Sequence, residues 1–349
     1  MLFDSGMKTM EATGAYDEAL ERLHRTGPEF DGWLSNHGPM VVEVLARRGQ
    51  GAVVHSWTDS YLRRLDELPR GVRPIDSESW PQALGDPARA GDWITFFTRA
   101  VAERPWAEVL VAWWPRLLPG IAAGATHGVI RVGHAVRGLR EVESAPRVTE
   151  LAHGLAYWAA RWQPTPVVHG TGGAGAAELL GAVPRVARQV DGIRARLAQL
   201  GETRGWDTHA ARLAAPTTAA AVPAALDELV DAAVAAYPSW AHGSPTMLVH
   251  AATAPNAVAA ALPSLPQALW RDSFDAAWSA TAAVLAAYRP AAPRPVRDEA
   301  TTPADVLDRA VAHGGEHVLK LADTALASHQ RTGSPVALAA ALTAVELDA

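Results

Sequence analysis

Cysteine is absent from this chain of 349 residues. Without thiols there is no disulfide framework, no cysteine-ligated zinc or iron–sulfur site and no thiolate nucleophile. An excess of basic charge is missing as well, because the chain has 31 basic and 37 acidic residues and a formal net charge of −6. A typical nucleic-acid-binding protein carries a dense basic surface, so we predict no nucleic-acid partner.

Long apolar runs are also missing from the sequence. No run of about 18 uncharged apolar residues occurs, and we therefore predict no membrane span. The first residues include Asp4, Lys8 and Glu11 but no apolar segment, which is unlike a signal peptide. These features predict a cytoplasmic protein with a loose tail over residues 1–15.

The residues that are abundant favour helices. Hydrophobic residues make up 49% of the chain, and alanine, the best helix former, is common among them. Apolar residues recur with a period near 3.6, whereas strict alternation is scarce. We predict an all-α fold in which residues 16–349 form one large multi-helix domain. Three of the predicted helices matter below: Ile121–Arg140, Ala176–Leu200 and Pro303–His329.

Polar side chains follow one face of two of these helices. Both stripes have the spacing i, i+4, i+7, which places the three side chains on one helical face. They consist of His127, Arg131 and His134 on the first helix, and of His313, His317 and Lys320 on the last. A metal or catalytic site would explain the stripes, and so would histidines that are merely exposed or hydrogen-bonded. Neither stripe contains HExxH, so a zinc protease has no support.

Lysine is scarce, since Lys8 and Lys320 are the only two among 31 basic residues. Where only a positive charge was required, arginine would have served at position 320 as it does elsewhere. Lysine differs in having an amine that loses its proton when buried. Such an amine can be a nucleophile, form a Schiff base or capture CO₂ as a carbamate, which is an anionic metal ligand. A snorkelling lysine is the plain alternative, and composition leaves both open.

Two further histidines have suggestive neighbours. His37 stands just before Gly38 and Pro39, where a helix is predicted to begin. His250 lies within an apolar segment that predicts burial. A buried imidazole needs hydrogen-bond partners or a metal ion. Taken alone, the neighbours of each residue favour a structural role over a role as a metal ligand.

A glycine-rich segment imitates a nucleotide-binding motif. Gly170–Gly175 fits G-x-G-x-x-G, and Asp191 lies at the distance of a ribose-binding acid. The strand that must precede this motif is poor, and no βαβ alternation follows. We interpret the segment as a flexible glycine loop rather than as a Rossmann site.

Five segments together resemble the questin oxidase-like family, and the resemblance spans about residues 30–329. They are Asn36–Met40, Thr126–Arg137, Leu155–Ala160, Val249–Ala251 and Glu316–Lys320. The resemblance implies a mostly α-helical fold with a metal site between helices. It also implies a mononuclear non-haem iron and an oxidative, Baeyer–Villiger-like ring opening of an anthraquinone-like substrate. We therefore expect an oxidoreductase, a mono- or dioxygenase, whose partners are O₂ and an aromatic polyketide.

The resemblance implies an iron site of four histidines and a carboxylated lysine. Carried over by motif, Fe²⁺ is expected at His37, His127, His250, His317 and Lys320, with His134 and His313 as alternatives for any one member. His134 and Arg131 are expected to move a proton or hold a substrate oxygen. NADPH is a candidate electron source. Two other hypotheses stay open, namely an NADPH- or flavin-assisted monooxygenase and a non-catalytic helical ligand-binding protein.

Overall fold

A computed structural model describes residues 2–297 and 300–348, with side chains from residue 13 onward. Within these residues the structure is α-helical with short 3₁₀ turns and one hairpin of two strands, β1 (Glu29–Phe30) and β2 (Leu34–Ser35). The prediction of an all-α fold is confirmed. No described helix combines the length and the apolar character needed to cross a membrane.

The α-helices are short to medium in length. The first eight are α1 (Leu2–Leu23), α2 (Gly38–Arg47), α3 (Gly51–Leu62), α4 (Trp80–Ala83), α5 (Ala90–Glu103), α6 (Trp106–Leu117), α7 (His127–Glu141) and α8 (Ala145–Arg161). The other ten are α9 (Ala176–Leu180), α10 (Ile193–Leu197), α11 (Trp206–Ala210), α12 (Val222–Trp240), α13 (Pro245–Leu248), α14 (His250–Ala261), α15 (Trp270–Tyr288), α16 (Pro303–His313), α17 (Glu316–Thr332) and α18 (Pro335–Leu347).

Contacts divide the chain into two compact units. The first comprises Met1–Trp114 and Arg131–Trp162, and the second Pro115–Ile130 and Gln163–Ala349. The prediction of one domain over residues 16–349 stays a prediction. The prediction of a loose tail over residues 1–15 also stays a prediction. The backbone of α1 begins at Leu2, and the side chains of residues 1–12 lie outside the described part of the chain.

The first unit is held by an aromatic core and by buried ion pairs. Helix α5 packs against α8, and α1 packs against α2 and α3. The rings of Trp93, Phe97 and Trp113 are buried and lie 4.9 to 5.6 Å apart, at distances typical of favourable aromatic pairs. Apolar burial thus supplies a rigid surround for the charged groups described below.

The second unit is built around an alanine-rich helix. In α15 every residue from Ser273 to Tyr288 is buried, and the many alanines let α14 approach closely. Helix α14 also packs against α12 and α17, and α17 packs against α18. These contacts place the starts of α14 and α17 inside the unit, where each carries a histidine.

Two predicted helices are interrupted at residues that disfavour helix. The helix predicted over Ala176–Leu200 is wrong, because α9 ends at Leu180 and α10 begins only at Ile193; Pro184 and Gly192 fall between them. The helix predicted over Pro303–His329 divides at Gly314, whose φ of 72° ends α16. Its predicted start is confirmed, since the Thr302 hydroxyl accepts from the Asp305 amide.

Candidate metal centre

A left-handed turn precedes the first histidine of the site. Gly124, Ala125 and Thr126 have φ values of 54°, 56° and 64°, so the helix predicted from Ile121 begins only at His127. A non-glycine residue in this region costs roughly 1–2 kcal/mol. The turn directs the Gly124 carbonyl at the His127 ring, whose Nδ1 lies 2.6 Å from that oxygen.

The second histidine is oriented in the same way. His250 is completely buried at the start of α14, and its Nδ1 lies 3.0 Å from the Met247 carbonyl oxygen. A carbonyl oxygen only accepts hydrogen bonds, so in both His127 and His250 the proton is assigned to Nδ1. Each ring then presents the lone pair of its Nε2.

The two Nε2 atoms lie close together. The Nε2 atoms of His127 and His250 are 3.0 Å apart, and with both protons on Nδ1 no hydrogen remains to bridge them. A shared cation removes the repulsion. Two nitrogens that bind one ion at about 2.1 Å and at a right angle are about 3.0 Å apart. The donor pair therefore fits a metal ion.

A third and a fourth imidazole belong to the same group. The His317 ring centroid lies 5.1 Å from that of His250 and 6.1 Å from that of His127. His37 completes the group, in which one ring nitrogen of each of the four histidines lies within 4.8 Å of the others. This four-histidine group could bind a metal ion. Imidazole suits zinc, copper, iron and nickel, so the ligand type alone does not select the metal.

Electrostatics keeps the imidazoles in the metal-binding form. Burial and, to a lesser extent, the charge of Lys320 together lower the pKa of His127 to about 3. Burial also lowers the pKa of His250 well below its usual value, with added contributions from His127 and Lys320. Both rings are therefore neutral at physiological pH, as metal coordination requires.

Lys320 lies on α17, one turn after His317. Its side chain is 1% exposed, and among the described residues Nζ has no hydrogen-bond partner. Burial lowers the pKa of the amine to about 7, although Glu316 and Asp348 act in the opposite direction. The amine does not reach water, so the snorkelling alternative is wrong. A buried amine near its pKa at neutral pH has a large uncharged fraction.

The two residues predicted to be catalytic are anchored in the first unit. Arg131 donates from Nε and Nη2 to the two carboxylate oxygens of Glu150, over 2.5 and 2.9 Å. The His134 Nδ1 lies 2.8 Å from Oε2 of Glu43, which also accepts from Arg137. The arrangement fixes both side chains, while their catalytic roles stay predictions.

The two carboxylates in these pairs are strongly acidic. Burial raises the pKa of Glu43 and of Glu150, but the arginine partners and the histidines His134 and His24 outweigh it, so that each pKa falls to about 2. Neither glutamate was predicted as a site residue from the sequence. The signal for Glu43 was its position as one charged residue inside an apolar run, Met40–Leu45.

His313 takes a different role from the one considered for it. It is exposed at the end of α16 and lies outside the four-histidine group. Its Nδ1 accepts from the Gly315 amide at 3.1 Å, and its Nε2 lies 3.0 Å from the Asp348 carbonyl oxygen. Because Gly314 separates α16 from α17, His313, His317 and Lys320 do not form one helical stripe.

The glycine-rich segment is a loop, as predicted. Residues 170–175 precede α9, and Ala174 forms an isolated parallel bridge with Leu213. A Cβ at Gly172 would lie 2.2 Å from the Arg212 carbonyl oxygen, so glycine is needed there for close backbone approach. Within the described residues no strand leads directly into the loop, and the Rossmann alternative gains no support.

A family model matches most of the chain, and the four histidines of the group lie within the matched residues. The model described as Questin oxidase-like matches residues 34–325. The chain belongs to the questin oxidase-like family. The resemblance noted in the sequence is thereby confirmed, and membership supports an oxidase that acts on a small molecule of the polyketide type. A comparison with curated proteins finds no match.

The left-handed turn should make the protein sensitive to substitution of Gly124. Replacing Gly124 by alanine forces a Cβ into a φ of 54° and should lower the free energy of unfolding by about 1–2 kcal/mol. Chemical denaturation at neutral pH measures the change. Gly14→Ala is the matched control, because this helical glycine has open space around it and should gain roughly 0.5–1 kcal/mol. Equal stability of Gly124→Ala and the wild type would contradict the strained turn.

Proposed function

We propose that the protein is a non-haem iron-dependent oxygenase that uses O₂ to oxidise an aromatic polyketide. The reaction proposed is a ring opening, or a Baeyer–Villiger-like oxidation, of an anthraquinone-like substrate. Family membership supports the substrate class. The observation that carries the metal is the pair of Nε2 atoms in His127 and His250, which lie 3.0 Å apart with both ring protons assigned to Nδ1.

The proposed ligands are the four histidines and the buried lysine, His37, His127, His250, His317 and Lys320. Iron bound by them would supply the one-electron redox chemistry that activation of O₂ requires. The protein's part is to hold neutral imidazoles in place. The carbonyls of Gly124 and Met247 do this for two of them, by fixing the ring orientation and raising the basicity of Nε2.

Lys320 is proposed to bind as a carbamate. The uncharged Nζ attacks the carbon of CO₂, the N–C bond forms, a C=O π pair moves onto oxygen, and a proton leaves the nitrogen. A depressed pKa makes the uncharged amine available for this step. The carbamate is an anionic oxygen donor, and beside four neutral imidazoles it reduces the charge of an Fe²⁺ site from two to one. Oxygen and imidazole donors both suit iron.

His134 and Arg131 are proposed to handle the substrate, by moving a proton or by holding a developing oxyanion. Glu43 and Glu150 support this role, since each fixes the orientation of its basic partner. A positioned acid or base of this kind contributes typically 10²–10⁴-fold to a rate. The planar guanidinium of Arg131, with its fork of N–H donors, suits an oxyanion.

Iron content and its dependence on Lys320 test the proposal. Protein purified without chelator should hold about one iron per chain, and chelation should stop O₂ uptake with an anthraquinone until Fe²⁺ is restored. Lys320→Arg keeps a positive charge but forms no carbamate, so it should lose the iron. Arg99→Lys, on an exposed pair, is the control for a basic exchange and should keep it. Iron-free wild type that gives no oxidation with added Fe²⁺ would contradict the proposal.

A further inference from the structure

Asp348, the residue that follows α18, contacts both parts of the second unit that carry metal-site residues. The Thr246 hydroxyl donates to Oδ1 of Asp348 over 3.0 Å. The main-chain oxygen of Asp348 lies 3.0 Å from Nε2 of His313. One residue thus joins the start of α13 to the turn between α16 and α17.

On the α13 side the contact lies next to a residue that orients His250. Thr246 is the second residue of α13 and is followed by Met247. The Met247 carbonyl accepts the hydrogen bond from His250 Nδ1. Any shift of Thr246 therefore moves the carbonyl that sets the direction of the His250 ring.

On the α17 side the contact fixes the turn that leads into His317. The Nδ1 of His313 accepts from the Gly315 amide, so this ring carries its proton on Nε2 and donates to the Asp348 carbonyl. Asp348 Oδ2 also lies 3.0 Å from the position that a Cβ on Gly315 would take. Gly315 is the residue before α17 and stands two residues ahead of His317.

We propose that Asp348 is a positioning residue of the metal centre, which sets the spacing of His250 and His317 by joining Thr246 to the turn of His313 and Gly315. The inference rests on the proposed function, because it assigns the spacing to a metal. The competing explanation is that Asp348 only stabilises the end of α18. The two explanations differ in what a change at Thr246 does to metal binding.

Titration of the metal-free full chain with Co²⁺, followed by its visible absorption, tests the proposal. Asp348→Ala and Thr246→Val should each weaken Co²⁺ binding at least about tenfold. Because both changes remove the same hydrogen bond, the double variant should bind Co²⁺ as tightly as the single variant with the lower affinity. Asp348→Asn keeps an oxygen that can accept from Thr246 and should stay within about threefold of the wild type. Thr343→Val is the control on α18, because that hydroxyl bonds to the Ala339 carbonyl of its own helix.

The outcomes separate this inference from the proposed function. Tight Co²⁺ binding by the wild type, Asp348→Ala and Thr246→Val alike overturns the positioning role and leaves the metal site intact. Equal loss in Asp348→Asn and Asp348→Ala also overturns it. A wild type that binds no Co²⁺ contradicts the metal site itself. In that case ¹⁵N spectra of the imidazoles in the metal-free protein test whether Asp348 positions the rings. His250 and His317 signals that are unchanged in Asp348→Ala overturn the positioning role.

Discussion

Replacement of Lys320 by methionine is expected to stabilise the metal-free protein and to remove its metal. The amine is buried without a hydrogen-bond partner among the described residues, and its pKa falls to about 7 from 10.5. In the unfolded chain the same amine is fully protonated at neutral pH. Loss of this proton on burial therefore costs on the order of 4 kcal/mol at pH 7. A methionine of similar length carries no proton to lose and avoids this cost.

The stability difference between Lys320→Met and the wild type should depend on pH. Because the pKa of Lys320 is lower in the folded protein, the penalty is fully present below pH 7 and disappears as the pH rises toward 10.5. Denaturation of metal-free Lys320→Met and wild type should thus show the largest difference at and below pH 7. Leu321→Met, on the same helix, is the control and should change stability by less than about 1.5 kcal/mol. A destabilised Lys320→Met that still binds metal would contradict the account.

Removal of the Glu150 carboxylate should strongly destabilise the first unit. Glu150 is 1% exposed and accepts two hydrogen bonds from Arg131 and one from His24. Glu150→Ala leaves the buried guanidinium without its counter-ion, which costs about 3–5 kcal/mol. Chemical denaturation at pH 7 measures the loss, and Glu178→Ala, which breaks the exposed pair with Arg212, should change little.

Acid should reproduce part of this loss. The pKa of Glu150 is lowered to about 2 from 4.5, so its contribution to stability is complete above pH 4.5 and is lost as the pH falls toward 2. Glu150→Ala should accordingly flatten the fall in stability over that range. A loss below about 1 kcal/mol at pH 7, or an unchanged acid profile, would show that Arg131 does not depend on this carboxylate.

The sequence predicted the fold class and several residues of the site because these depend on local pattern. Helical periodicity indicated α7 and α17, and the rarity of lysine directed attention to Lys320. The family motif added His37 and His250, whose own neighbours favoured a structural role. In the structure these two residues are buried and belong to the four-histidine group.

The features that the sequence did not predict depend on contacts between distant residues or on strained backbone. No local pattern places Asp348 beside Thr246, which is 102 residues away. The left-handed turn at Ala125 contradicts the helix preference of alanine and is maintained by its surroundings. The division of the last predicted helix at Gly314 was a readable signal, since glycine is common at helix ends.

Diffraction at the iron absorption edge would reveal whether the buried Lys320 and the imidazoles of the four-histidine group hold iron. Crystals grown aerobically with bicarbonate should show one anomalous peak about 2.1 Å from Nε2 of His127 and of His250. Density on Nζ of Lys320 should show a carboxyl group with an oxygen directed at the same peak. A bare amine at Lys320, or an iron peak away from these rings, would contradict the account.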